Sequence, residues 1–216
     1  MKEMMSFPEI VITGCQGNGK SSLLSSITGL SNLVGDVTTT KAALVFQLRE
    51  VAPGEREHAQ IGWGELKKGE SVAPQERIDN LARLKDEIKR YQDDRVSISG
   101  NAIIEIPLYI KICQENSPNI TITDLPGMVF RDGLNLKILP LIEKYINKPN
   151  TLIMNVMQVT ADIFTNDMEN IIKKYDPLYK RTYNILTMVD REWHVNNKKY
   201  LEDGIIKNMF AVRNRT

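Results

Sequence analysis

The sequence predicts an α/β fold with a mixed, mostly parallel sheet and helices on both of its faces. Three observations predict it. Short β-branched runs alternate along the chain with segments whose apolar residues have helical spacing. The first run leads through a glycine-rich turn directly into a helical segment. The 216 residues are 42% hydrophobic and contain no internal repeat, so we expect one domain, residues 1–216.

The predicted elements follow the apolar spacing along the chain. Residues 54–74 are polar and glycine-rich, which indicates a loop or a frayed hairpin. Residues 75–95 carry one apolar and one charged face, which predicts an amphipathic helix on the outside of the domain. The predicted strands are 9–14, 42–51, 103–113, 119–123, 151–156, 183–186 and 208–212, and the other predicted helices follow Lys20 and cover 136–146 and 167–175.

Charge, cysteine content and hydropathy exclude several classes of protein. The net charge of +1 gives no bulk attraction to nucleic acid, so we expect no nucleic-acid partner. The two cysteines, Cys15 and Cys113, make no disulfide framework and indicate a reducing compartment. No run approaches the roughly 18 to 20 apolar residues of a membrane span, and residues 1–6 lack the apolar stretch of a secretory signal. These features predict a cytoplasmic protein that is at most peripheral to membranes.

The glycine-rich turn at residues 14–21 has the spacing of a phosphate-binding loop. Its glycines let successive N–H groups point inward around phosphate oxygens, and the following helix adds the positive end of its dipole. Lys20 would place a charge against the β- and γ-phosphates, and the Ser21 hydroxyl would coordinate Mg²⁺. The motif predicts the fold of a P-loop NTPase. The candidate contacts are Gly14, Gly17, Asn18, Gly19, Lys20, Ser21 and Ser22.

Two further elements follow in the order that a GTP site needs. Thr40 lies in a polar segment between the first helix and the second strand, where a switch loop carries a threonine to Mg²⁺ and the attacking water. Asp124 ends an apolar strand, and its carboxylate would hold a Mg²⁺-bound water. Gly127 follows it and would donate its N–H to the γ-phosphate.

The last element predicts the base. Thr187 and Asp190 follow another apolar strand, and an aspartate here would accept hydrogen bonds from N1 and the exocyclic amine of guanine. Adenine lacks that arrangement of donors. Asn214 and Arg215, after the final strand, would back the base from the other side. Together the four elements predict a site for GTP and GDP with Mg²⁺.

At these positions the chain resembles the dynamin superfamily of large GTPases, and the resemblance runs through the whole chain. Residues 14–22 look like the family's phosphate loop, with a glutamine at Gln16 and a doubled serine at the end. Residues 40–48 and 119–128 are similar to its first and second switches. Residues 145–182 follow the family's spacing into the base-recognition strand.

The resemblance implies GTP hydrolysis activated by dimerisation across the nucleotide face. In that scheme Gln16 and Thr40 position the attacking water, Lys20 meets the charge that develops on the phosphates, and Ser21 and Thr40 bind Mg²⁺. The loop around Asp162 would reach the partner copy, so a nucleotide-dependent homodimer is expected. The family remodels membranes through a stalk and C-terminal helices that are absent here, and any membrane association would come through those regions.

Three departures from the family pattern leave alternatives open. Gly17 replaces a serine and Val37 a glycine of the family's cation site, and Met188 replaces the lysine of the base motif. These changes are compatible with a nucleotide-binding interaction module of the same fold whose catalytic power has weakened. A septin-like or ribosome-associated GTPase is the other alternative, against which Gln16 and the spacing of residues 149–167 speak.

Overall fold

The computed structural model describes six segments of the chain, and the predicted site residues Asn214 and Arg215 lie outside them, as does Val37. No helix in the described segments is long and apolar enough to cross a membrane. All of the strands in these segments join one sheet. The described residues are 9–30, 40–64, 76–129, 135–162, 167–203 and 207–213.

The described strands number nine and confirm the predicted mixed, mostly parallel sheet. They are β1 (Glu9–Thr13), β2 (Ala42–Glu50), β3 (His58–Trp63), β4 (Glu76–Ile78), β5 (Ile104–Gln114), β6 (Thr121–Asp124), β7 (Thr151–Gln158), β8 (Thr182–Thr187) and β9 (Met209–Ala211). Their order across the sheet is β4-β3-β5-β2-β6-β1-β7-β8-β9. Strands β6, β1, β7, β8 and β9 are mutually parallel. Strand β2 is antiparallel to β6 and parallel to β5, and β3 and β4 continue with antiparallel pairing.

Helices cover both faces of the sheet, as predicted. The described ones are α1 (Lys20–Thr28), α2 (Leu84–Ser99), α3 (Asn135–Ile146), α4 (Asp167–Tyr175) and α5 (Val195–Glu202). Side chains alternate between the two faces of a sheet along a strand, so two neighbouring residues of β1 show what packs on each face. Ile12 packs in a cluster with apolar residues of α1 and α2, whereas Val11 packs with residues of α3 and α4. Both are fully buried, which places β1 at the centre of the core.

The helix predicted at residues 75–95 begins only at Leu84, so that boundary is wrong. Before it, Glu76–Ile78 forms strand β4 and Leu81–Arg83 forms a single 3₁₀ turn. The apolar spacing is helical throughout this stretch, but Ile78 pairs with β3 in an antiparallel ladder. Cross-strand pairing therefore overrides the local pattern.

Two other regions differ from the prediction. Of residues 54–74, predicted as a loop or a frayed hairpin, only 54–64 are described, and within them His58–Trp63 is a regular strand that pairs along its whole length with β5 and, like one arm of a hairpin, antiparallel with β4. The sequence does not predict helix α5, because this segment has few apolar residues and no apolar face. In the structure the first of them, Val195, is 77% exposed and does not pack in the core. The structural role of α5 is shown by the hydrogen bonds that its side chains make to the loop around Asp162, described below with the candidate site.

The sheet topology brings the predicted site elements to one edge. The carboxyl ends of β1, β6, β7 and β8 meet there because these strands are parallel. The phosphate loop follows β1, Asp124 ends β6 and Thr187 ends β8. Strand β2 runs in the opposite direction, with Leu44 opposite Asp124, so its start after Thr40 lies at the same edge.

Candidate functional site

The phosphate loop turns on three glycines with positive φ, a conformation that other residues rarely adopt. Gly14 has φ of 144°, and a Cβ there would lie 2.3 Å from the Val156 carbonyl oxygen of β7. Gly17 and Gly19 have φ of 83° and 89°. Gly19 also caps α1 without any side-chain acceptor for the helix N–H groups. Those N–H groups are therefore available to phosphate oxygens.

Asn18 and Thr187 hold this loop against the sheet. The Asn18 side chain is buried, and its Nδ2 donates to the Val156 carbonyl oxygen at 2.8 Å. The Thr187 hydroxyl donates to the Asn18 carbonyl oxygen at 2.7 Å. The same threonine would lie 3.5 Å from a Cβ at Gly19. Two residues predicted from separate motifs, the phosphate loop and the base motif, are thus bonded to each other.

Lys20 lies inside the ring that the loop makes. Its Nζ donates to the carbonyl oxygens of Gly14 at 3.2 Å and Cys15 at 3.0 Å. Burial lowers the pKa of the Lys20 ammonium, although the nearby Asp124 and Cys15 side chains oppose that effect. Gly127 faces it so closely that a Cβ there would lie 2.6 Å from Nζ. Glycine is therefore required at residue 127 for the lysine to take this position.

Asp124, Thr40 and Ser21 converge on a small cavity of about 30 Å³. The Thr40 hydroxyl donates to Asp124 Oδ2 at 3.1 Å, whereas Asp124 Oδ1 is buried and has no hydrogen-bond partner among the described residues. Burial raises the pKa of the Asp124 carboxyl to about 6, against the opposing effects of Lys20 and Thr40. An orphaned carboxylate oxygen beside two hydroxyls is a donor set that suits Mg²⁺, a hard cation that prefers oxygen ligands.

Gln16 and Ser22 complete the predicted residues around the loop. The Gln16 side chain is exposed, and its backbone N–H donates to the Met128 carbonyl oxygen at 2.9 Å. This bond fastens the phosphate loop to the segment just beyond Gly127. Ser22 is half-buried in the first turn of α1, next to Ser21.

The base motif turns sharply after β8 and presents Asp190 to solvent. Met188 has φ of 57°, and its carbonyl oxygen accepts from the Arg191 N–H at 2.9 Å. Trp193 Nε1 donates to the Val189 carbonyl oxygen at 3.2 Å and closes the turn. The Asp190 side chain is exposed, as a group that receives a base from solvent must be.

Side chains of helix α5 bind the loop that contains Asp162, a contact that no local pattern in the sequence predicts. Asn197 is fully buried, and its Nδ2 donates to the carbonyl oxygens of Val159 at 2.9 Å and Ala161 at 2.7 Å. Asn196 Nδ2 donates to Asp162 Oδ2 at 2.8 Å. The loop near Asp162 is therefore tied to the segment that follows the base motif.

The chain is similar to known proteins over most of its length. The model of the dynamin family matches residues 10–189. Phragmoplastin DRP1A of Arabidopsis thaliana is 33% identical over 192 residues, which cover 86% of this chain and 30% of that protein. A dynamin-1-like protein of Danio rerio is 29% identical over 198 residues, with 87% of this chain and 28% of that protein covered. The chain thus spans about 30% of the length of the curated relatives that it matches.

One solved structure has the same fold. It is described as an oligomerised bacterial dynamin pair that provides a mechanism for the long-range sensing and tethering of membranes. The similarity has a TM-score of 0.59 and covers 98% of this chain and 31% of that one. At 17% sequence identity the likeness concerns the fold alone.

Proposed function

Because this chain belongs to the dynamin family, we propose that it binds GTP and hydrolyses it to GDP and phosphate. The observation that carries the proposal is a buried pair of opposite charges. Lys20 of the phosphate loop is buried beside Asp124 at the end of β6, and the Thr40 hydroxyl donates to the Asp124 carboxylate. A buried ammonium and a buried carboxylate are costly unless further charges and hydrogen bonds compensate them. A triphosphate with a divalent cation supplies a countercharge for each.

The phosphate loop would bind the β- and γ-phosphates through backbone N–H groups and Lys20. The ammonium has three donors, and two of them bond the carbonyl oxygens of Gly14 and Cys15. This leaves a third donor for a phosphate oxygen. The uncapped start of α1 adds N–H groups and the positive end of the helix dipole.

The hydroxyls of Ser21 and Thr40, with the Asp124 carboxylate directly or through a water, would hold Mg²⁺. When bound, the ion supplies positive charge against the phosphate oxygens. In hydrolysis, a water oriented at Gln16 and Thr40 attacks the γ-phosphorus. The bond from that phosphorus to the β–γ bridging oxygen breaks and GDP leaves, while Lys20 stabilises the charge that develops on the phosphates.

Asp190 would select guanine by accepting hydrogen bonds from N1 and the exocyclic amine. Adenine would leave the carboxylate unpaired, which a hydrogen-bonded site rejects strongly. Met188 supplies an apolar stem in place of the family's lysine, so guanine preference would rest on Asp190. Asn214 and Arg215 would contact the other side of the base.

We propose further that the chain acts as a GTPase domain, residues 1–216, whose activity rises when two copies meet across the nucleotide face. The Gln16 side chain is exposed, so a second copy that packs against it, with the α5-bound loop at Asp162 as part of its contact surface, would order it. Ordering a water-positioning group can change a rate by several powers of ten. A role in membrane remodelling is proposed only for a protein with the additional length that the relatives have.

Binding of a fluorescent GTP analogue and release of phosphate from GTP, measured in parallel, test the proposal. Lys20→Ala should weaken binding roughly tenfold to a hundredfold or more, because a charge-assisted contact contributes about 1.5–3 kcal/mol. Lys180→Ala, at an exposed lysine just before β8, is the matched control and should bind as wild type does. Unchanged binding in Lys20→Ala would refute the site. Tight binding of GTP by wild type without phosphate release would instead identify a weakened interaction module.

A further inference from the structure

A cavity of about 600 Å³ lies apart from the phosphate loop and the base motif, where α2 ends, β5 begins and α3 passes. Its volume falls within the roughly 300–1,000 Å³ of small-molecule sites. Apolar side chains form much of its wall, and Ile103, Ile104 and Leu141 among them are almost fully buried. Leu136 also lines the cavity but is 80% exposed, so a ligand there would bury an apolar side chain that now faces water.

The charged groups around the cavity are mostly cations. Arg95, Lys137 and Lys144 line it together with one carboxylate, Glu105. Lys137 Nζ donates to the neutral amide oxygen of Asn101 at 3.3 Å. The Arg95 guanidinium lies 6.0 Å from the centre of the Trp63 ring. These contacts with neutral groups leave the two positive charges in place, so the cavity has a net positive lining that favours an anion.

Two elements that line the cavity are hydrogen-bonded to residues at or next to the switch segments of the proposed nucleotide site. At the start of β5, the Ile104 N–H donates to the Lys41 carbonyl oxygen at 2.8 Å, and Lys41 directly follows Thr40. At the start of α3, the Asn135 side chain accepts from the Val129 N–H at 3.1 Å, just beyond the second switch. The cavity-lining Ile104 is thus hydrogen-bonded to the residue after Thr40, whereas α3 reaches the end of the second switch only through Asn135, the neighbour of the cavity-lining Leu136.

We propose that this cavity binds a small organic anion with an apolar body. The body would lie over the buried Ile103, Ile104 and Leu141 and replace water on the exposed side chain of Leu136. The carboxylate, sulfonate or phosphate group would face Arg95 and Lys137. The combination of an apolar wall with a few converging polar groups is typical of ligand sites, and the volume limits the occupant to a small molecule.

A pair of fluorescent probes with the same aromatic body tests the inference. 1-Anilinonaphthalene-8-sulfonate carries one negative charge, and N-phenyl-1-naphthylamine is its uncharged counterpart. The sulfonate should bind wild type saturably, with one molecule per chain, and at least about tenfold more tightly than the amine. Inorganic phosphate should not displace it, because phosphate lacks the apolar body.

Proline 140 provides a matched pair of variants, since Pro140 lines the cavity from an exposed position inside α3. Pro140→Trp fills the space and should weaken sulfonate binding at least about tenfold. Pro140→Ala makes the same change to the helix backbone without filling the cavity, and should bind within about twofold of wild type. Both variants are first checked for a wild-type circular dichroism spectrum and thermal transition, because loosely packed proteins bind this probe non-specifically.

Charge variants give an independent measurement. Arg95→Gln combined with Lys137→Gln should weaken the sulfonate probe at least about fivefold and leave the amine unchanged, whereas the exposed Lys180→Gln should alter neither. Lys20→Ala should keep full probe binding, which separates the cavity from the phosphate loop. Equal affinity for the two probes, or binding unaffected by Pro140→Trp, would overturn the inference.

Discussion

Replacement of Gly127 by alanine should disable the phosphate loop without removing any group that contacts the nucleotide. Alanine retains the backbone N–H that is proposed to meet the γ-phosphate. Its Cβ, however, would lie 2.6 Å from Lys20 Nζ and 2.9 Å from the Gln16 backbone nitrogen. An ordinary contact begins near 3.4 Å, so the ammonium must retreat by about 0.8 Å or the loop must open by a similar distance.

The expected loss of GTP affinity follows from the contacts that the Lys20 ammonium gives up when it moves. A retreat of that size would lengthen its bonds to the carbonyl oxygens of Gly14 and Cys15, now 3.2 and 3.0 Å, beyond hydrogen-bonding range unless the loop moves with it. The charge would also leave the position from which it meets the phosphates. We therefore expect Gly127→Ala to cost about 1.5–3 kcal/mol in binding GTP, or roughly tenfold to more than a hundredfold in affinity.

Titration of a fluorescent GTP analogue with Mg²⁺ present measures this loss, and a double-mutant cycle assigns it. Once Lys20→Ala has removed the ammonium, adding Gly127→Ala should weaken binding by less than it does in the wild-type background, because only the contact of 2.9 Å with the Gln16 backbone then remains. Thermal unfolding of each variant checks that the assay temperature lies well below the transition. Wild-type affinity in Gly127→Ala, or losses that simply multiply in the double variant, would show that Gly127 does not act through Lys20.

Four further predictions concern Mg²⁺, the pH dependence of stability, the base and self-association. Because burial raises the pKa of Asp124 to about 6, the apparent Mg²⁺ affinity of the nucleotide complex should fall about tenfold between pH 7 and pH 5, and Asp124→Asn should bind Mg²⁺ weakly at both. The same raised pKa means that folding takes up a proton here, so the unfolding free energy of the nucleotide-free wild type, minus that of Asp124→Asn, should decrease as pH rises from about 4 to 6. Asp190→Asn should shift preference from GTP towards XTP in competition binding, and equal inhibition of wild type by ATP and GTP would contradict the base assignment. Specific activity should rise across a hundredfold range of protein concentration and stay flat in Asp162→Ala; a flat profile in wild type as well would argue against activation by a second copy.

The sequence predicted what depends on neighbouring residues and missed what depends on distant pairing. The phosphate loop is readable because glycines, lysine and serine act within one turn. The bond between Thr40 and Asp124 is not readable, because it requires β2 to run antiparallel to β6. The hydrogen bond from Asn197 to the Val159 carbonyl oxygen joins residues 38 positions apart. Asn197 lies on α5, whose sequence has too little apolar character to predict a helix there. The early helix start failed for the same reason, since Ile78 has helical spacing but a strand partner.

The bond between the Thr187 hydroxyl and the Asn18 carbonyl oxygen would make the spacing between the proposed base and phosphate subsites a property of the sheet. The same hydroxyl proton is shared with the Met157 carbonyl oxygen at 3.2 Å, which ties the pair to β7. Two halves of a ligand would thus meet subsites that already stand at a fixed separation. Guanosine alone and pyrophosphate alone should each bind weakly. A molecule that joins them covalently should bind with an affinity far above the two combined, because the protein already holds the two subsites at the distance that the joined molecule must span.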